Sequence, residues 1–397
     1  MKILILSCNT GEGHNSCARA ISEELERKGD WGYIADGLAF LSTGTSKFVS
    51  GWHTRLYRYF PRLYGKGYEY AEKHPMNIKK HTAAYRMIRR GASRLRKVIK
   101  AGGYDGVICT HLFPAMMVTG LVKKGTVTIP ACFVATDYTA SPGCEKVSLP
   151  TITPHPDLTG EFQAVGIPAE NILAYGIPVR SMFTEKTDKA EAKRKAGLDP
   201  ERLHMVIMGG SMGCGPMEDV LAEIAAGMPE NIELTVICGT NKQTAEKLRR
   251  RHGENPRVHI RGYVKDMSLM LDSADLYLTK AGGISTTEAA IKGVPLVLAD
   301  AVGGCESRNL EFFVEHGAAV TAKTEELGRL CVSLLEDRRR LDAMAQAIER
   351  LRMEDAAEEL PLCADDMTLW NDEDDEAFEE AKTEAAPDFE AGQEDME

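Results

Sequence analysis

The fold is decided by the stretch Thr279-Lys-Ala-Gly-Gly-Ile-Ser-Thr-Thr-Glu-Ala-Ala-Ile-Lys-Gly-Val-Pro-Leu-Val-Leu298. It begins with the end of an apolar strand, turns at two consecutive glycines, and continues with a segment from Ser285 to Ile291 that predicts a short helix. After Gly293-Val-Pro the chain becomes an apolar strand again. A strand, a glycine turn, a helix and a second strand in this order predict an α/β domain with a parallel sheet.

The start of this predicted helix favours an anion, because its first backbone N–H groups have no partner inside the helix. A phosphate group is therefore expected there. Glu288 lies about one turn inside the helix, where its carboxylate can accept hydrogen bonds from neutral hydroxyl groups such as those of a ribose. The alternative interpretation is a plain glycine turn, with Glu288 as an ordinary acid favoured by the helix dipole.

The length and composition indicate a two-domain protein. A chain of 397 residues is too long for one ordinary core. The segment from Met1 to Cys8 is only as long as a strand and has no features of a signal peptide, so a cytoplasmic location is expected. The ten cysteines form no Cys-x-x-Cys pair, and neither a zinc site nor a disulfide framework is indicated.

Charge is unevenly distributed along the chain, although the net formal charge is only −11. Lysines, arginines and aromatic residues are interleaved from Lys47 to Lys100. This combination favours an anionic membrane surface, and it is also typical of nucleic-acid surfaces. We expect a membrane and no nucleic acid, because no RNA or DNA motif accompanies the region. The structural alternative is a solvated helix face with the tyrosines packed inward.

Three glycine-rich turns divide the chain into similar units. The first runs from Asn9 to Ser16, the second from Gly209 to Pro216, and the third is the stretch quoted above. Because the strand, turn and helix reappear near residue 205, we infer two Rossmann-like domains, 1–180 and 181–352, and we expect the ligand in the cleft between them. The first two turns lack the glycine spacing of NAD-binding proteins. The acidic segment 353–397 has few large apolar residues and is predicted to be disordered.

An ordered set of short motifs connects these turns. In the first half they are Thr10-Gly-Glu-Gly-His-Asn, Cys109-Thr-His-Leu-Phe, Ala135-Thr-Asp-Tyr-Thr, Pro154-His-Pro-Asp-Leu and Tyr175-Gly-Ile-Pro-Val. In the second half they are Met208-Gly-Gly-Ser-Met-Gly, Cys238-Gly-Thr-Asn, Gly262-Tyr-Val-Lys-Asp-Met, Thr279-Lys-Ala-Gly-Gly and Gly304-Cys-Glu-Ser-Arg-Asn. From Met1 to about Arg350 the chain resembles the diacylglycerol glucosyl- and galactosyltransferases, the family that includes monogalactosyldiacylglycerol synthase. The resemblance implies the GT-B fold, in which two Rossmann-like domains face each other across a cleft.

The resemblance also implies where the substrates bind. The first domain would hold the lipid acceptor and the second a UDP-sugar. The backbone at Tyr263 and Val264 would contact the uracil, and Glu288 would contact the ribose. The remaining donor-binding residues would contact the phosphates and the hexose. The implied donor-binding residues are Gly209, Ser211, Gly213, Gly239, Tyr263, Val264, Gly283, Ile284, Ser285, Glu288, Glu306 and Asn309. Cys305 stands where the family has an amide that can contact the sugar, which leaves the identity of the hexose open.

Sugar transfer needs a base for the acceptor hydroxyl group and a positive counterpart for the departing diphosphate. Histidine suits the first role because its pKa lies near working pH, and His14 follows the first glycine turn in the family's Gly-x-Gly-His position. Asp137 is either a competing base or the orienting partner of His14. A lone histidine can also be purely structural. The helix start at Gly283 to Ser285 can stabilise the diphosphate in place of a metal, so no metal or cofactor is expected.

The resulting hypothesis is an inverting transferase at the cytoplasmic membrane face that moves a hexose from UDP-glucose or UDP-galactose to diacylglycerol. Formation of a β-glycoside from an α-linked donor is implied by the resemblance alone. Three alternatives stay open: an N-acetylglucosamine transferase acting on a polyprenyl-linked peptidoglycan precursor, a UDP-N-acetylglucosamine 2-epimerase, and a nucleotide-sugar sensor without catalysis. Vesicle binding separates the epimerase from the lipid enzymes, and tight UDP-sugar binding without transfer would indicate the sensor.

Overall fold

The computed structural model describes residues 1–9, 12–41, 83–211, 213, 217–299, 303–353 and 356–360. Much of the predicted basic aromatic region and nearly all of the predicted acidic tail lie outside these residues. Within them the chain forms two six-stranded sheets, and every pair of neighbouring strands is parallel. The predicted α/β class with two Rossmann-like halves is therefore confirmed.

The first sheet has the strand order β2-β1-β3-β4-β5-β6. Its strands are β1 (Lys2–Ser7), β2 (Trp31–Asp36), β3 (Gly106–Cys109), β4 (Ala131–Val134), β5 (Thr151–Ile152) and β6 (Ile172–Leu173). Leu4 of β1 lies opposite Tyr33 of β2 and Val107 of β3. Because β1 is covered on both faces, its residues from Ile3 to Leu6 are at most 1% exposed.

The helices of the first half are α1 (Glu12–Arg27), α2 (Ala83–Gly102), α3 (Leu112–Val122) and α4 (Thr159–Ala164). Helix α1 buries Cys17, Ile21 and Leu25, which recur every four residues and therefore lie on one face. The helix begins four residues before the predicted start at Ser16. His14 consequently lies in the first turn of α1, at the start of a helix as expected.

The second sheet has the strand order β12-β11-β10-β7-β8-β9. Its strands are β7 (Leu203–Met208), β8 (Ile232–Ile237), β9 (Val258–Arg261), β10 (Leu276–Lys280), β11 (Leu296–Ala299) and β12 (Ala319–Thr321). Its helices are α5 (Lys189–Ala196), α6 (Met217–Gly227), α7 (Lys242–His252), α8 (Met267–Ser273), α9 (Gly283–Lys292), α10 (Cys305–Glu315), α11 (Leu327–Glu336) and α12 (Arg338–Arg350).

The opening stretch of the sequence forms β10, α9 and β11 as predicted. Helix α9 begins at Gly283, two residues before the predicted start, and it ends where Gly293 adopts the left-handed conformation with φ of 70°. In β10, Tyr277 lies opposite Val206 of β7 and Leu296 of β11, so the strand is central in its sheet. The glycine turn between β10 and α9 therefore lies at the carboxyl edge of the second sheet.

The chain crosses between the two halves twice. The predicted boundary at residues 180 and 181 lies between the last strand of the first sheet and the first strand of the second. After α12 the chain returns, and Glu358 accepts hydrogen bonds from Arg27 at 2.6 Å and, through its carbonyl group, from Lys28 at 3.0 Å. Residues 356–360, which were expected to belong to the disordered tail, pack instead against the first domain, because Ala356 and Leu360 are buried.

The charged segment after Thr184 contains α5, in which Lys193 is only 4% exposed and donates to Asp275 at 2.9 Å. Burial alone would raise the pKa of Asp275, but Lys189 and Lys193 hold this pKa below its ordinary value. Among the described helices, none has both the length and the apolar character needed to cross a bilayer.

Candidate active site

The carboxyl edges of the two sheets meet where the loop after β4 contacts the start of α9. A methyl group added to Gly283 would lie 2.0 Å from the carbonyl oxygen of Thr136, so only glycine allows this approach. The start of α1 also contacts α9, because a methyl group on Gly13 would lie 3.5 Å from Ile284. The starts of α1 and α9, which belong to the first and third predicted glycine turns, are therefore brought together across the domain interface.

His14 is held by the first domain through one ring nitrogen. Its Nδ1 lies 2.9 Å from the carbonyl oxygen of Thr110 and 2.9 Å from Oγ1 of Thr136. A carbonyl oxygen can only accept, so Nδ1 bears the proton in this contact, and in the neutral ring Nε2 is then the basic atom. The ring of His111 packs edge-on against His14 with 4.5 Å between the centroids.

The protonation of His14 is set by opposing effects. Burial lowers its pKa below the ordinary value, whereas the Asp137 carboxylate and the hydrogen bond to Thr110 raise it. Burial has the larger influence, so the ring is neutral near pH 7. A neutral imidazole with a proton on Nδ1 can accept a proton from a hydroxyl group at Nε2.

Asp137 follows Thr136 and is held from the other domain. Its Oδ1 accepts a hydrogen bond of 2.8 Å from Nδ2 of Asn309, a residue of α10. The neighbouring Tyr138 donates its backbone N–H to Oδ1 of Asn309 at 2.6 Å, and its hydroxyl group lies 3.0 Å from Oγ1 of Thr287 in α9. The two predicted catalytic residues, His14 and Asp137, therefore lie in one cluster at the interface.

Helix α9 has an uncapped start where the sequence predicts an anion site. Gly282 is its N-cap, and no side chain caps the helix start. The N–H groups of Gly283, Ile284 and Ser285 therefore have no partner within the helix. Ser285 is half-buried at this position.

The second glycine turn, which contains Ser211 and Gly213, is interlocked with the loop that contains Gly239. A methyl group on Gly213 would lie 2.1 Å from the carbonyl oxygen of Cys238, and one on Gly239 would lie 2.1 Å from that of Ser211. Both glycines have positive φ, and Thr240 donates to the Ser211 carbonyl at 3.0 Å. Gly209 precedes this contact and is buried. These contacts hold the described parts of the two loops together beside β10, where Gly210 approaches Lys280.

Sequence reasoning missed Lys280, the last residue of β10. A methyl group on Gly210 would lie 2.9 Å from Cε of Lys280, and the ammonium group donates to Glu306 at 2.5 Å. This positive charge therefore lies between the glycine loop and the start of α10. The indication in the sequence was the lysine immediately before the Ala-Gly-Gly turn of the opening stretch.

Glu288 is 9% exposed, on the inner side of α9. Burial raises its pKa to about 8, and the Arg180 guanidinium partly counteracts this rise. Tyr263 and Val264 follow β9. Tyr263 is 67% exposed and Val264 is half-buried.

The hexose-contacting residues implied by the resemblance occupy different environments. Glu306 is paired with Lys280, whereas Asn309 is fully buried and bonded to the first domain. Contact between Asn309 and a sugar would require these bonds to be exchanged. Cys305 lies 3.3 Å from Oγ of Ser141, which belongs to the first domain. Among the described residues, no group of three or more His, Cys, Asp or Glu side chains could hold a metal ion.

Comparison with known proteins places the chain among lipid glycosyltransferases. Residues 14–179 match the family described as monogalactosyldiacylglycerol (MGDG) synthase, and residues 204–360 match the glycosyltransferase family 28 C-terminal domain. The processive diacylglycerol beta-glucosyltransferase of Bacillus cytotoxicus is 30% identical over 87% of this chain and 89% of its own length. The protein of that name from Staphylococcus carnosus is 27% identical over 89% of each chain.

Solved structures support the fold. MurG from Acinetobacter baumannii superposes with a TM-score of 0.61 at 17% identity, covering 90% of this chain and 97% of its own. At this identity the likeness shows the GT-B fold and does not favour the peptidoglycan alternative. Together, the two matched family segments and the relative at 30% identity show that the chain belongs to the diacylglycerol glycosyltransferase family that includes monogalactosyldiacylglycerol synthase.

Proposed function

We propose that this protein transfers glucose from UDP-glucose to diacylglycerol at an anionic membrane surface, with inversion of the anomeric carbon. The observation that carries the proposal is the contact between the start of α1, which contains His14, and the uncapped start of α9 across the domain interface. The choice of glucose as the transferred sugar follows the names of the relatives. Cys305 and Ser141 border the region where this sugar would bind.

In the proposed reaction, the hydroxyl group of diacylglycerol gives its proton to Nε2 of His14. The acceptor oxygen then forms a bond to the anomeric carbon as the bond between that carbon and the diphosphate oxygen breaks. Because attack occurs opposite the leaving UDP, an α-linked donor gives a β-glycoside. Asp137 stabilises the imidazolium that forms, since its charge already raises the pKa of His14.

The departing diphosphate needs positive charge. The N–H groups of Gly283, Ile284 and Ser285 provide a helix N-terminus, and the ammonium group of Lys280 lies beside the glycine loop. Tyr263 and Val264 would contact the uracil through their backbone and Glu288 the ribose. We propose that these groups act without a metal, and we expect transfer to be unchanged after treatment with EDTA.

Helix α2 supports the proposed membrane contact. It contains no acidic residue, and it exposes Arg86, Arg89 and Arg90 together with the apolar side chain of Met87, which is 39% exposed. Its opposite face is buried against the domain. Arginines near an anionic surface contribute about 1 kcal/mol each, so this face favours anionic lipids. Most of the predicted basic region before α2 lies outside the described residues.

The test is transfer of labelled sugar from UDP-glucose and from UDP-galactose, measured separately, to diacylglycerol in anionic vesicles. We expect a lipid-soluble product with UDP-glucose that is lost in His14→Ala and kept in His252→Gln, a histidine at the end of α7. Product with UDP-galactose alone would correct the donor. Absence of product from both donors, in a protein that binds UDP, would overturn the proposed function.

Vesicle sedimentation tests the membrane contact separately. Changing Arg86, Arg89 and Arg90 to glutamate should abolish binding to anionic vesicles at low salt. The matched control changes Arg338, Arg339 and Arg340 of α12 to glutamate, which alters the net charge equally and should leave binding intact. Equal losses in the two triple variants would show a nonspecific charge effect.

A further inference from the structure

Asn309 is a polar side chain with three hydrogen bonds at the interface between the two domains. It is fully buried, and its Nδ2 donates to Oδ1 of Asp137 at 2.8 Å and to the carbonyl oxygen of Ala281 at 2.9 Å. Its Oδ1 accepts from the backbone N–H of Tyr138 at 2.6 Å. The partners determine the orientation of the amide, because a carbonyl oxygen cannot donate and a backbone N–H cannot accept.

These bonds belong to a continuous contact made by one face of α10. Four of the residues that touch the first domain are spaced by four, three and four positions: Cys305 with Ser141, Asn309 with Asp137, Phe312 with Tyr138 and His155, and His316, the residue after α10, with Asp157. This spacing places all four on one side of a helix. Phe313 adds a second ring contact with Tyr138. The second domain therefore uses α10 to contact the loop that contains Asp137.

The contact reaches the candidate base. Thr136, next to Asp137, is hydrogen-bonded to the ring of His14, and the Asp137 charge is near enough to raise the pKa of His14. His111 is the other titratable side chain found against this ring among the described residues. A residue of the second domain thus holds the carboxylate that acts on a histidine of the first.

We propose that Asn309 is a positioning residue: its amide holds the Asp137 carboxylate beside His14 only while the domains are closed, so that closure assembles the acid–base pair. The inference rests on the proposed function for its catalytic meaning. It differs from the hexose contact implied by the family resemblance, which would require the buried amide to leave its three partners.

The kinetic test separates these two roles. For Asn309→Ala we expect kcat to fall about 10- to 100-fold, as is usual when a group that orients a reacting residue is removed. The KM for UDP-glucose should stay within about twofold, because this role adds no donor contact. A large rise in KM with kcat retained would establish the sugar contact and overturn the proposal. Glu311→Gln, on the exposed side of α10, is the matched control.

A double-mutant cycle tests whether Asn309 acts through Asp137. In the Asp137→Asn background, Asn309→Ala should cause no further loss of kcat, since the oriented carboxylate is already absent. Asn309→Asp keeps the size of the side chain and the acceptor for Tyr138 but removes the donor, and it should lose activity as Asn309→Ala does. Equal losses in both backgrounds would overturn the proposal.

Titration of His14 by NMR gives a readout that does not need transfer activity. When Asn309→Ala releases the Asp137 carboxylate, the pKa of His14 should fall further, because the nearby negative charge that raises it is lost. An unchanged pKa in a variant with normal thermal unfolding would overturn the proposal. If the wild-type protein transfers no sugar, the proposed function fails, and this titration still decides the role of Asn309.

Discussion

Nε2 of His316 lies 3.0 Å from Oδ2 of Asp157 across the domain interface. The Asp157 side chain is 57% exposed, so water screens the pair, and such pairs contribute about 0.2–1 kcal/mol. We therefore predict that His316→Gln lowers kcat/KM less than about fivefold. Steady-state kinetics beside Asn309→Ala would check this. A loss as large as that of Asn309→Ala would mean that closure depends on the periphery of α10.

Glu288 should make stability depend on pH. Because burial raises its pKa from the ordinary 4.5 to about 8, its contribution to folding is fully present below about pH 4.5 and is lost as the pH rises through about 8. Glu288→Gln should therefore melt at the same temperature as the wild type near about pH 4.5 and at a higher temperature near about pH 8. Differential scanning calorimetry at both pH values measures this. If the melting temperatures of the variant and the wild type differed by the same amount at both pH values, Glu288 would not be a buried, protonated carboxyl group.

Glu288→Ala should weaken UDP binding if the carboxyl group of Glu288 contacts the ribose. Loss of a hydrogen bond with this neutral carboxyl group costs about 0.5–1.5 kcal/mol, so we predict a Kd that is weaker by about two- to tenfold. Isothermal titration calorimetry with UDP is the measurement. Unchanged affinity would place the ribose elsewhere.

Lys280→Met should slow the chemical step. Removing one group that stabilises developing charge typically lowers kcat about 100-fold, and here that charge lies on the diphosphate. The control is Lys195→Met, since Lys195 pairs with Glu191 on the surface of α5. Single-turnover transfer from UDP-glucose would show the difference. Equal rates in the wild type and Lys280→Met would remove Lys280 from the phosphate site.

Gly239→Ala should disrupt the donor loops. Its methyl group would lie 2.1 Å from the Ser211 carbonyl oxygen at a φ of 53°, so the backbone of both loops must move. We expect UDP binding to be lost. Gly160→Ala in α4 is the control, because no atom lies within 4 Å of the added methyl group. Normal UDP binding by Gly239→Ala would show that the interlocked loops do not shape the site.

The alternation of apolar strands with glycine turns and helices predicted the two parallel sheets, because such strands are buried when helices cover both faces of a parallel sheet. Helix starts were less predictable: α1 and α9 begin earlier than expected, since short polar residues and glycines are compatible with both a turn and a first helical turn. The bonds of Asn309 could not be predicted at all. They join positions 171 and 172 residues apart, and their partners are determined only by the way the domains meet.

The two chain crossings touch each other. Gly176 lies beside the first crossing with φ of 96°, and a methyl group on it would lie 2.5 Å from Cβ of Met353 in the second. Two covalent connections at one place act as a hinge. They allow the two domains to rotate apart but resist sliding or twisting of one domain against the other. Contacts beside the hinge, such as that of Arg180 with Glu23, can persist as the cleft opens, so the same two surfaces meet again in register after every exchange of substrate and product.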